Sequence, residues 1–136
     1  MKLVISDQKT GKSYQTEVDE TKSKVFYGKK IGNEVDGGVI GLAGYTLRIT
    51  GGSDKEGYPM RPDVHGTDRK RVLLTAGAGI RNKKIGERKK KTIRGNIISE
   101  SINQMNLIVL KSGDKTVAAS LGIEEKKPEA EKTEGA

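Results

Sequence analysis

Glycines divide this chain into short segments, and their spacing limits the possible folds more than any other feature of the sequence. The chain has 18 glycines in 136 residues, and six of them fall between residues 28 and 44. Glycine is unfavourable inside a helix or strand, but it permits the bulges and tight bends that join short strands. No segment repeats its apolar residues with the period of an amphipathic helix. We therefore predict an all-β or mostly β domain with glycine-rich loops and only a few short helical turns.

Apolar runs and alternating patterns locate the expected strands. Leu3 to Ile5 is a short apolar run, and residues 13–18 alternate after turn residues at 7–11, which predicts a hairpin. One helical turn is predicted at residues 19–24, with Asp19 as its cap. Strands of this length and spacing favour a small barrel-like domain, with a sandwich as the alternative. Further strands are predicted at residues 45–50, 69–75, 92–99 and 106–111.

The length of the chain is that of one domain, although its supply of core residues is small. Hydrophobic residues make up 32% of the chain and aromatic residues 4%. The densest apolar cluster is Val25-Phe26-Tyr27, which we expect to enter the core. Residues 124–136 contain no large apolar residue and carry five glutamates, a composition typical of disorder. We predict one β-rich domain at residues 1–123 and a disordered acidic tail at residues 124–136.

The positive charge of the chain is concentrated in one segment. The net charge is +8, but residues 61–95 alone contain 12 basic and 3 acidic residues, a balance of +9. A solubilising surface usually mixes both signs, whereas a clustered cationic block is typical of a protein that binds a polyanion. A nuclear-localisation signal at Arg88–Lys91 is one alternative. A membrane-surface patch is another, but no amphipathic helix carries it.

Lysines and arginines of this segment are candidates for contacts with nucleic-acid phosphates. Both side chains neutralise phosphates, and arginine also binds them in a bidentate manner. Because the chain has one Phe, four Tyr and no Trp, a stacking platform for single-stranded RNA is disfavoured. Structured RNA recognised by its shape and backbone is favoured instead. The predicted phosphate contacts are Arg61, Arg69, Lys70, Arg71, Arg81, Lys83, Lys84, Arg88, Lys89, Lys90, Lys91 and Arg94.

Enzyme and metal chemistry find little support in the sequence. The chain has no cysteine and a single histidine, His65, so no His/Cys cluster offers the spacing of metal ligands. Asp54 and Glu56 are close in sequence, but acid–base catalysis also needs a pocket, which no pattern identifies. Gly11-Lys12-Ser13 matches only the end of a phosphate-binding loop motif. We predict that the protein is not an enzyme and has no cofactor, no metal and no small-molecule substrate.

The N-terminal residues indicate where the protein works. Leu3-Val4-Ile5 is an apolar run of three residues, which is too short for a signal peptide or a membrane span. The absence of cysteine fits a reducing compartment. We therefore expect a cytoplasmic protein that does not engage a membrane.

The segment from Ile49 to Met60, which we call the signature segment, separates an alternating strand from the basic block. Its three glycines, one aspartate and one proline predict a loop whose backbone shape matters more than its side chains. Two roles are open for it: a corner that shapes the fold and aims the basic block, or a direct contact with RNA. Additional candidates for RNA contact are Ser53, Asp54, Lys55 and His65.

The residues of the signature segment resemble the motif of a known family. The pattern Ile-Thr-Gly-Gly-Ser-Asp-x-x-Gly-x-Pro-Met is similar to that of the archaeal/eukaryotic-type small-subunit ribosomal protein six, the S6e type. The N-terminal Met-Lys-Leu-x-Ile-Ser, a basic motif at residues 86–95 and the strand at 106–113 match as well, so the resemblance covers residues 1–122. The matching positions of the signature are Gly51, Gly52, Ser53, Asp54, Gly57, Pro59 and Met60.

The resemblance implies a structural constituent of the small ribosomal subunit, without catalytic activity, that supports subunit assembly and translation. It implies ribosomal RNA and neighbouring small-subunit ribosomal proteins as partners, a barrel-like β fold and a place on cytoplasmic ribosomes. Eukaryotic members carry a long basic C-terminal helix with regulatory phosphorylation sites. This chain instead ends in a short acidic tail, so it resembles the archaeal short form and kinase regulation is not expected. A free RNA- or DNA-binding regulatory protein is the alternative.

Overall fold

The computed structural model describes residues 1–81 and 84–123 as a mostly β structure. Its strands are β1 (Lys2–Asp7), β2 (Lys12–Glu17), β3 (Glu34–Asp36), β4 (Thr46–Asp54), β5 (Arg69–Leu74), β6 (Lys89–Arg94) and β7 (Ile102–Lys111). Its helical elements are α1 (Glu20–Ser23), a 3₁₀ turn (Gly37–Ile40) and α2 (Val117–Leu121). The prediction of a mostly β fold with a few short helical turns is therefore confirmed. Lys83 and the predicted tail at 124–136 lie outside the described residues.

Five strands form one sheet in the order β2-β1-β7-β4-β3. β1 and β7 run parallel, and the other neighbouring pairs are antiparallel. Along β1, β4 and β7, buried residues alternate with more exposed ones, because successive side chains of a strand point to opposite faces. The buried face carries Leu3, Leu47, Ile49, Met105 and Leu107. The core of the protein therefore lies against the three central strands of this sheet.

The segment before the first glycine-rich stretch follows its prediction only in part. Phe26 is 1% exposed and belongs to the core, and Tyr27 packs partly against it, but Val25 is 47% exposed. Asp19 lies at the cap position of α1, yet its side chain makes no capping hydrogen bond. Instead, the hydroxyl of Ser23 donates to the backbone carbonyl oxygen of Asp19 at 2.9 Å. The predicted helical turn is present, but the side-chain hydrogen bond that closes it comes from Ser23 and not from Asp19.

β5 and β6 pair only with each other and form an antiparallel hairpin beside the large sheet. A bridge between Met60 and Arg94 links this β5–β6 hairpin to the signature segment. Within residues 1–81 and 84–123, strand pairing closes neither sheet on itself. The predicted barrel-like shape is therefore not confirmed by the pairing of strands and stays a prediction.

The signature segment is a loop over only part of its length. β4 continues through Gly51, Gly52 and Ser53 to Asp54, so the prediction of a loop from residue 49 onward was wrong. The strand tolerates the glycines because its register against β7 shifts between Ile49 and Gly51 and again between Ser53 and Asp54. A Cβ at Gly52 would lie 2.3 Å from the backbone oxygen of Gln104 on β7. Gly52 therefore permits close strand approach and does not form a turn.

Two further elements differ from the expectation. β6 begins at Lys89, before the predicted strand at residues 92–99, because Lys89–Lys91 pair with β5. α2 was not predicted, since five residues are too few to show a helical period. Its position is fixed by tertiary contacts: Val117 is buried, and the hydroxyl of Tyr45 donates to the backbone oxygen of Lys115 just before the helix. Among the described helices, none has the length and hydrophobicity that crossing a membrane requires.

Candidate nucleic-acid interface

Asp54, the last residue of β4, is the centre of the contacts that hold the β5–β6 hairpin. The residue is 3% exposed. Its Oδ1 accepts hydrogen bonds from the backbone N–H groups of Glu56 and Tyr58, both at 2.9 Å. Its Oδ2 accepts from the Nε atoms of Arg69 at 2.9 Å and Arg94 at 3.0 Å. One carboxylate thus fixes both the turn after β4 and the two ends of the hairpin that meet there.

The environment of Asp54 favours its ionised form. Burial by itself would raise the pKa of the carboxyl group, because it disfavours the charged form. The hydrogen bonds from Arg94, the Tyr58 backbone, Arg69 and the Glu56 backbone outweigh burial and lower the pKa of Asp54 from 3.8 to about 2. The carboxylate is therefore charged at neutral pH and provides the counter-charge for the buried Arg94 and for Arg69 at the edge of the site.

Arg94, which is buried, and Arg69, which is exposed, both pair with acidic groups of the same chain. Arg94 is 9% exposed, and its Nη1 donates to the backbone oxygen of Thr67 at 2.7 Å. Arg69 also pairs with Glu56, at 2.8 Å, and its guanidinium lies 4.7 Å from the centre of the Tyr58 ring. Breaking a buried ion pair by removing one partner costs several kcal/mol. Both arginines therefore attach the hairpin to β4, a structural role that the sequence did not reveal.

Arg61 likewise has partners within the chain. Its Nε pairs with Asp63 at 2.7 Å, and its Nη1 donates to the backbone oxygens of Ala76 at 3.1 Å and Ala78 at 2.8 Å. Its side chain is only 14% exposed. These bonds hold the loop that follows β5, which we call the 76–80 loop, against the start of the basic segment.

The remaining predicted phosphate contacts are on the surface. Lys83 lies outside the described residues. Strand alternation assigns the cations of β6 to different faces: Lys89 and Lys91 lie on the face of Leu74 and Ile93, and Lys90 on the face of Arg71. The structure therefore gathers exposed positive charge on the β5–β6 hairpin and the segment that joins its strands. Apart from Arg69, which pairs with Asp54 and Glu56, the exposed members are Lys70, Arg71, Arg81, Lys84, Arg88, Lys89, Lys90 and Lys91.

A groove of about 530 Å³ lies on one face of this hairpin. We call it the hairpin groove. It is lined by Gly77, Gly79, Ile80, Arg81, Lys89 and Lys91. One wall is the backbone of the 76–80 loop, and the cations of β6 and Arg81 complete the lining. Surface charge and a concave shape therefore coincide here.

The other residues of the signature segment serve the fold. Gly57 has a φ of +92°, a conformation that favours glycine, in the turn that Asp54 closes. Pro59 accepts a backbone hydrogen bond from Arg94 at 2.8 Å, and Met60 is 3% exposed. Ser53 forms a bridge with Pro59. The segment thus acts as the corner that joins the sheet to the hairpin, and direct RNA contact by it stays a prediction.

Two of the additional candidates, Lys55 and His65, are exposed. The backbone oxygen of His65 accepts a hydrogen bond from Lys70 at 3.2 Å. In the part of the chain that the structure describes, no three His, Cys, Asp or Glu side chains are grouped to hold a metal ion. The role of Asp54 was the main feature missed from the sequence. The sequence did contain a signal for this role. The side chain of an aspartate at the start of a glycine-containing turn often accepts hydrogen bonds from backbone N–H groups a few residues later.

Comparison with known proteins identifies relatives over nearly the whole chain. The model of the family "Ribosomal protein S6e" matches residues 1–122. "Small ribosomal subunit protein eS6" of Methanocaldococcus jannaschii is 50% identical over 123 residues, which cover 90% of this chain and 92% of that protein. The protein of the same name from Methanocella arvoryzae is 47% identical over 135 residues, with 99% and 91% coverage. That from Halobacterium salinarum is 46% identical over 122 residues, with 90% and 93% coverage.

The resemblance inferred from the signature segment is thereby confirmed. The family match includes that segment, whose buried Asp54 and closely packed Gly52 explain why its residue types matter. It also includes the whole β5–β6 hairpin with its exposed cations. The chain belongs to the ribosomal protein S6e family.

Proposed function

We propose that this protein is a structural, non-enzymatic constituent of the small ribosomal subunit that binds ribosomal RNA through the basic segment at residues 61–95. Family membership and the names of the archaeal relatives support the place in the subunit. Ribosomal RNA and neighbouring ribosomal proteins are then its partners, and cytoplasmic ribosomes its location. The observation that carries the RNA-binding part is the set of eight exposed cations on and around the anchored β5–β6 hairpin.

The anchoring supports this role because it reduces the cost of ordering the cations on binding. Asp54, Arg69 and Arg94 hold the base of the hairpin, so its strands present their charges in a fixed arrangement. Preorganised side chains lose less conformational entropy when they bind. Lysine and arginine contacts to phosphates give affinity and orientation with little base specificity. These properties suit a protein that recognises folded RNA by its backbone.

We also include the barrel-like arrangement in the proposal. The bridges Met60–Arg94, Ser53–Pro59 and Lys30–Ile97 join segments outside the main strand pairs. They support a chain that wraps from the large sheet to the hairpin and back. Such wrapping would keep the hairpin at a constant angle to the sheet, as a fixed RNA-binding surface requires.

The salt dependence of RNA binding tests the proposal. The full chain is titrated with transcribed small-subunit ribosomal RNA at increasing salt, and log K is plotted against log salt. Each phosphate neutralised contributes a slope of about −0.7 to −0.9, so several contacts give a steep line. A flat line overturns RNA binding through the basic segment. Cosedimentation with small subunits in high-salt gradients is also expected, and its absence would favour a free regulatory protein.

A further inference from the structure

The hairpin groove owes its shape to Arg61. The 76–80 loop folds back over the face of the hairpin that carries Leu74 and Ile93, and a Cβ at Gly79 would lie 2.9 Å from Cγ2 of Ile93. Arg61 ties the loop in this position through the backbone oxygens of Ala76 and Ala78. This packing covers Leu74 and Ile93, which are 6% and 0% exposed, and leaves the groove between the loop and β6.

Two of the three loop residues that line the groove are glycines, so much of this wall is backbone. Gly77 and Gly79 have φ values of +100° and +91°, which side-chain-bearing residues rarely adopt. A Cβ at Gly77 would lie 3.0 Å from Nη1 of Arg61, so the loop and the arginine fit closely. Both Cβ positions point toward the protein, so the two glycines let the loop pack closely on Arg61 and Ile93 while it lines the groove.

The cations of the groove are those of one hairpin face. Lys89 and Lys91 are two residues apart on β6, so they point to the same side, and Arg81, which follows the loop, completes the lining. Lys90 and Arg71 belong to the other face of the same hairpin. No acidic residue is among the described residues that line the groove. The groove therefore combines a wall made largely of backbone with three cations, of which Lys89 also pairs with Glu87 at 3.5 Å. This combination suits a linear polyanion.

We propose that the hairpin groove holds the sugar–phosphate backbone of one strand of the ribosomal RNA. Arg81, Lys89 and Lys91 neutralise its phosphates there. Arg61 is a positioning residue that holds the 76–80 loop and does not itself bind phosphate. This inference rests on the proposed function and adds to it which face of the hairpin meets the RNA. It also distinguishes Arg81, Lys89 and Lys91, which bind phosphates, from Arg61, which holds the loop in place.

The test compares two double variants of the full chain on the same small-subunit ribosomal RNA transcript. Lys89→Ala/Lys91→Ala removes two groove cations, and Arg71→Ala/Lys90→Ala removes the same charge from the opposite face. The groove variant is expected to lose about 1.4 to 1.8 from the magnitude of the salt slope, which corresponds to two phosphates. The matched control is expected to keep the wild-type slope. Equal losses in the two variants, or a larger loss in the control, overturn the groove as the RNA site.

Arg61→Gln tests the positioning role. Losing its bonds to the loop is expected to weaken RNA binding by about tenfold without changing the salt slope. Faster hydrogen exchange at the amides of residues 76–80 should accompany this loss. A slope reduced by one contact would show that Arg61 binds phosphate and would overturn its positioning role. If Arg61→Gln fails to fold, Asp63→Asn removes one partner of Arg61, and the same two readouts apply to it.

Failure of this inference and failure of the proposed function give different results. If the wild-type chain itself shows no salt-dependent binding to the transcript, the RNA-binding proposal falls and the groove proposal falls with it. If the wild type binds with a steep slope but the two double variants behave alike, only the groove assignment is overturned. All four substituted side chains are exposed, so their removal should not disturb the fold. Thermal unfolding of each variant checks that it is as stably folded as the wild type.

Discussion

At the scale of single residues, the basic segment contains two kinds of cation. Arg94, Arg69 and Arg61 are bound to acidic groups or backbone oxygens of the same chain, and they determine where the hairpin and its loop lie. Among the described residues, the other exposed lysines and arginines of the hairpin have at most partners at the surface, such as Glu87 beside Lys89 at 3.5 Å and the backbone oxygen of His65 beside Lys70 at 3.2 Å. Counting positive charges in the sequence cannot distinguish these two kinds of cation, because they differ only in the partners that the fold gives them.

Replacing Asp54 with asparagine should destabilise the protein strongly. The variant leaves Arg94, 9% exposed, without a counter-charge, and breaking a buried pair in this way costs about 3–5 kcal/mol. The free energy of unfolding, measured with a chemical denaturant, reports the loss. Glu56→Gln is the matched control, because Glu56 pairs with the same Arg69 from an exposed position, where such pairs contribute about 0–1 kcal/mol. Similar losses in the two variants would contradict a buried centre at Asp54.

The stability of the protein should also depend on the protonation of Asp54. The pKa of this carboxyl group is about 2 in the folded chain, below its ordinary 3.8, so the folded state favours the ionised form. Its contribution to stability is fully present above pH ~4 and is lost as the pH falls toward ~2. Unfolding measured across this range should show the loss in the wild type. The Asp54→Asn variant should lack this part of the pH dependence, and an identical profile would contradict the assignment.

At the scale of elements, the joint between β4, β7 and the hairpin depends on close backbone packing. Gly52 lies against Gln104 and Met105 of β7, and the register shifts around it turn β4 toward the hairpin. Asp54 then fixes the turn, and Met60 returns to Gly52 through a backbone hydrogen bond of 2.9 Å. The signature segment is therefore a structural corner built on a strand.

Alanine at Gly52 should disturb this joint, whereas alanine at the neighbouring glycine should not. The Cβ at position 52 would lie 2.3 Å from the backbone oxygen of Gln104, so the strands must separate, at a cost of about 1–3 kcal/mol. A Cβ at Gly51 would meet none of the described residues beyond its chain neighbours within 4 Å, so Gly51→Ala serves as the control. Thermal or denaturant unfolding compares the two. Equal stability of Gly51→Ala and Gly52→Ala would contradict the close approach of β4 and β7.

At the scale of the whole molecule, a nearly neutral sheet carries a strongly basic hairpin. Residues 1–60 sum to a charge of +1 and residues 96–123 to 0, whereas residues 61–95 sum to +9. The large sheet is formed by strands from the first and last of these segments, and the hairpin by the middle one. The two nearly neutral segments thus form the scaffold of the molecule, and the basic segment between them forms its charged surface.

The sequence predicted the local elements better than the contacts between them. Alternation and apolar runs located β1, β2, β5 and β7, because their patterns are contained within each strand. The strand character of Gly51 to Asp54 was missed, since it depends on pairing with β7, far along the chain. The internal roles of Arg61 and Arg94 were missed for the same reason: their partners lie up to 40 residues away in sequence. The family was recognisable because its signature segment combines all these requirements in twelve residues.

A structure of the assembled small subunit that contains this protein tests the central claim most directly. We expect exposed cations of the β5–β6 hairpin to lie within about 4 Å of ribosomal RNA phosphates, the distance of an ion pair. Arg94 should remain bound to Asp54 inside the protein, as it is here at 3.0 Å. A hairpin that faces solvent, or that meets only other proteins, would contradict the account.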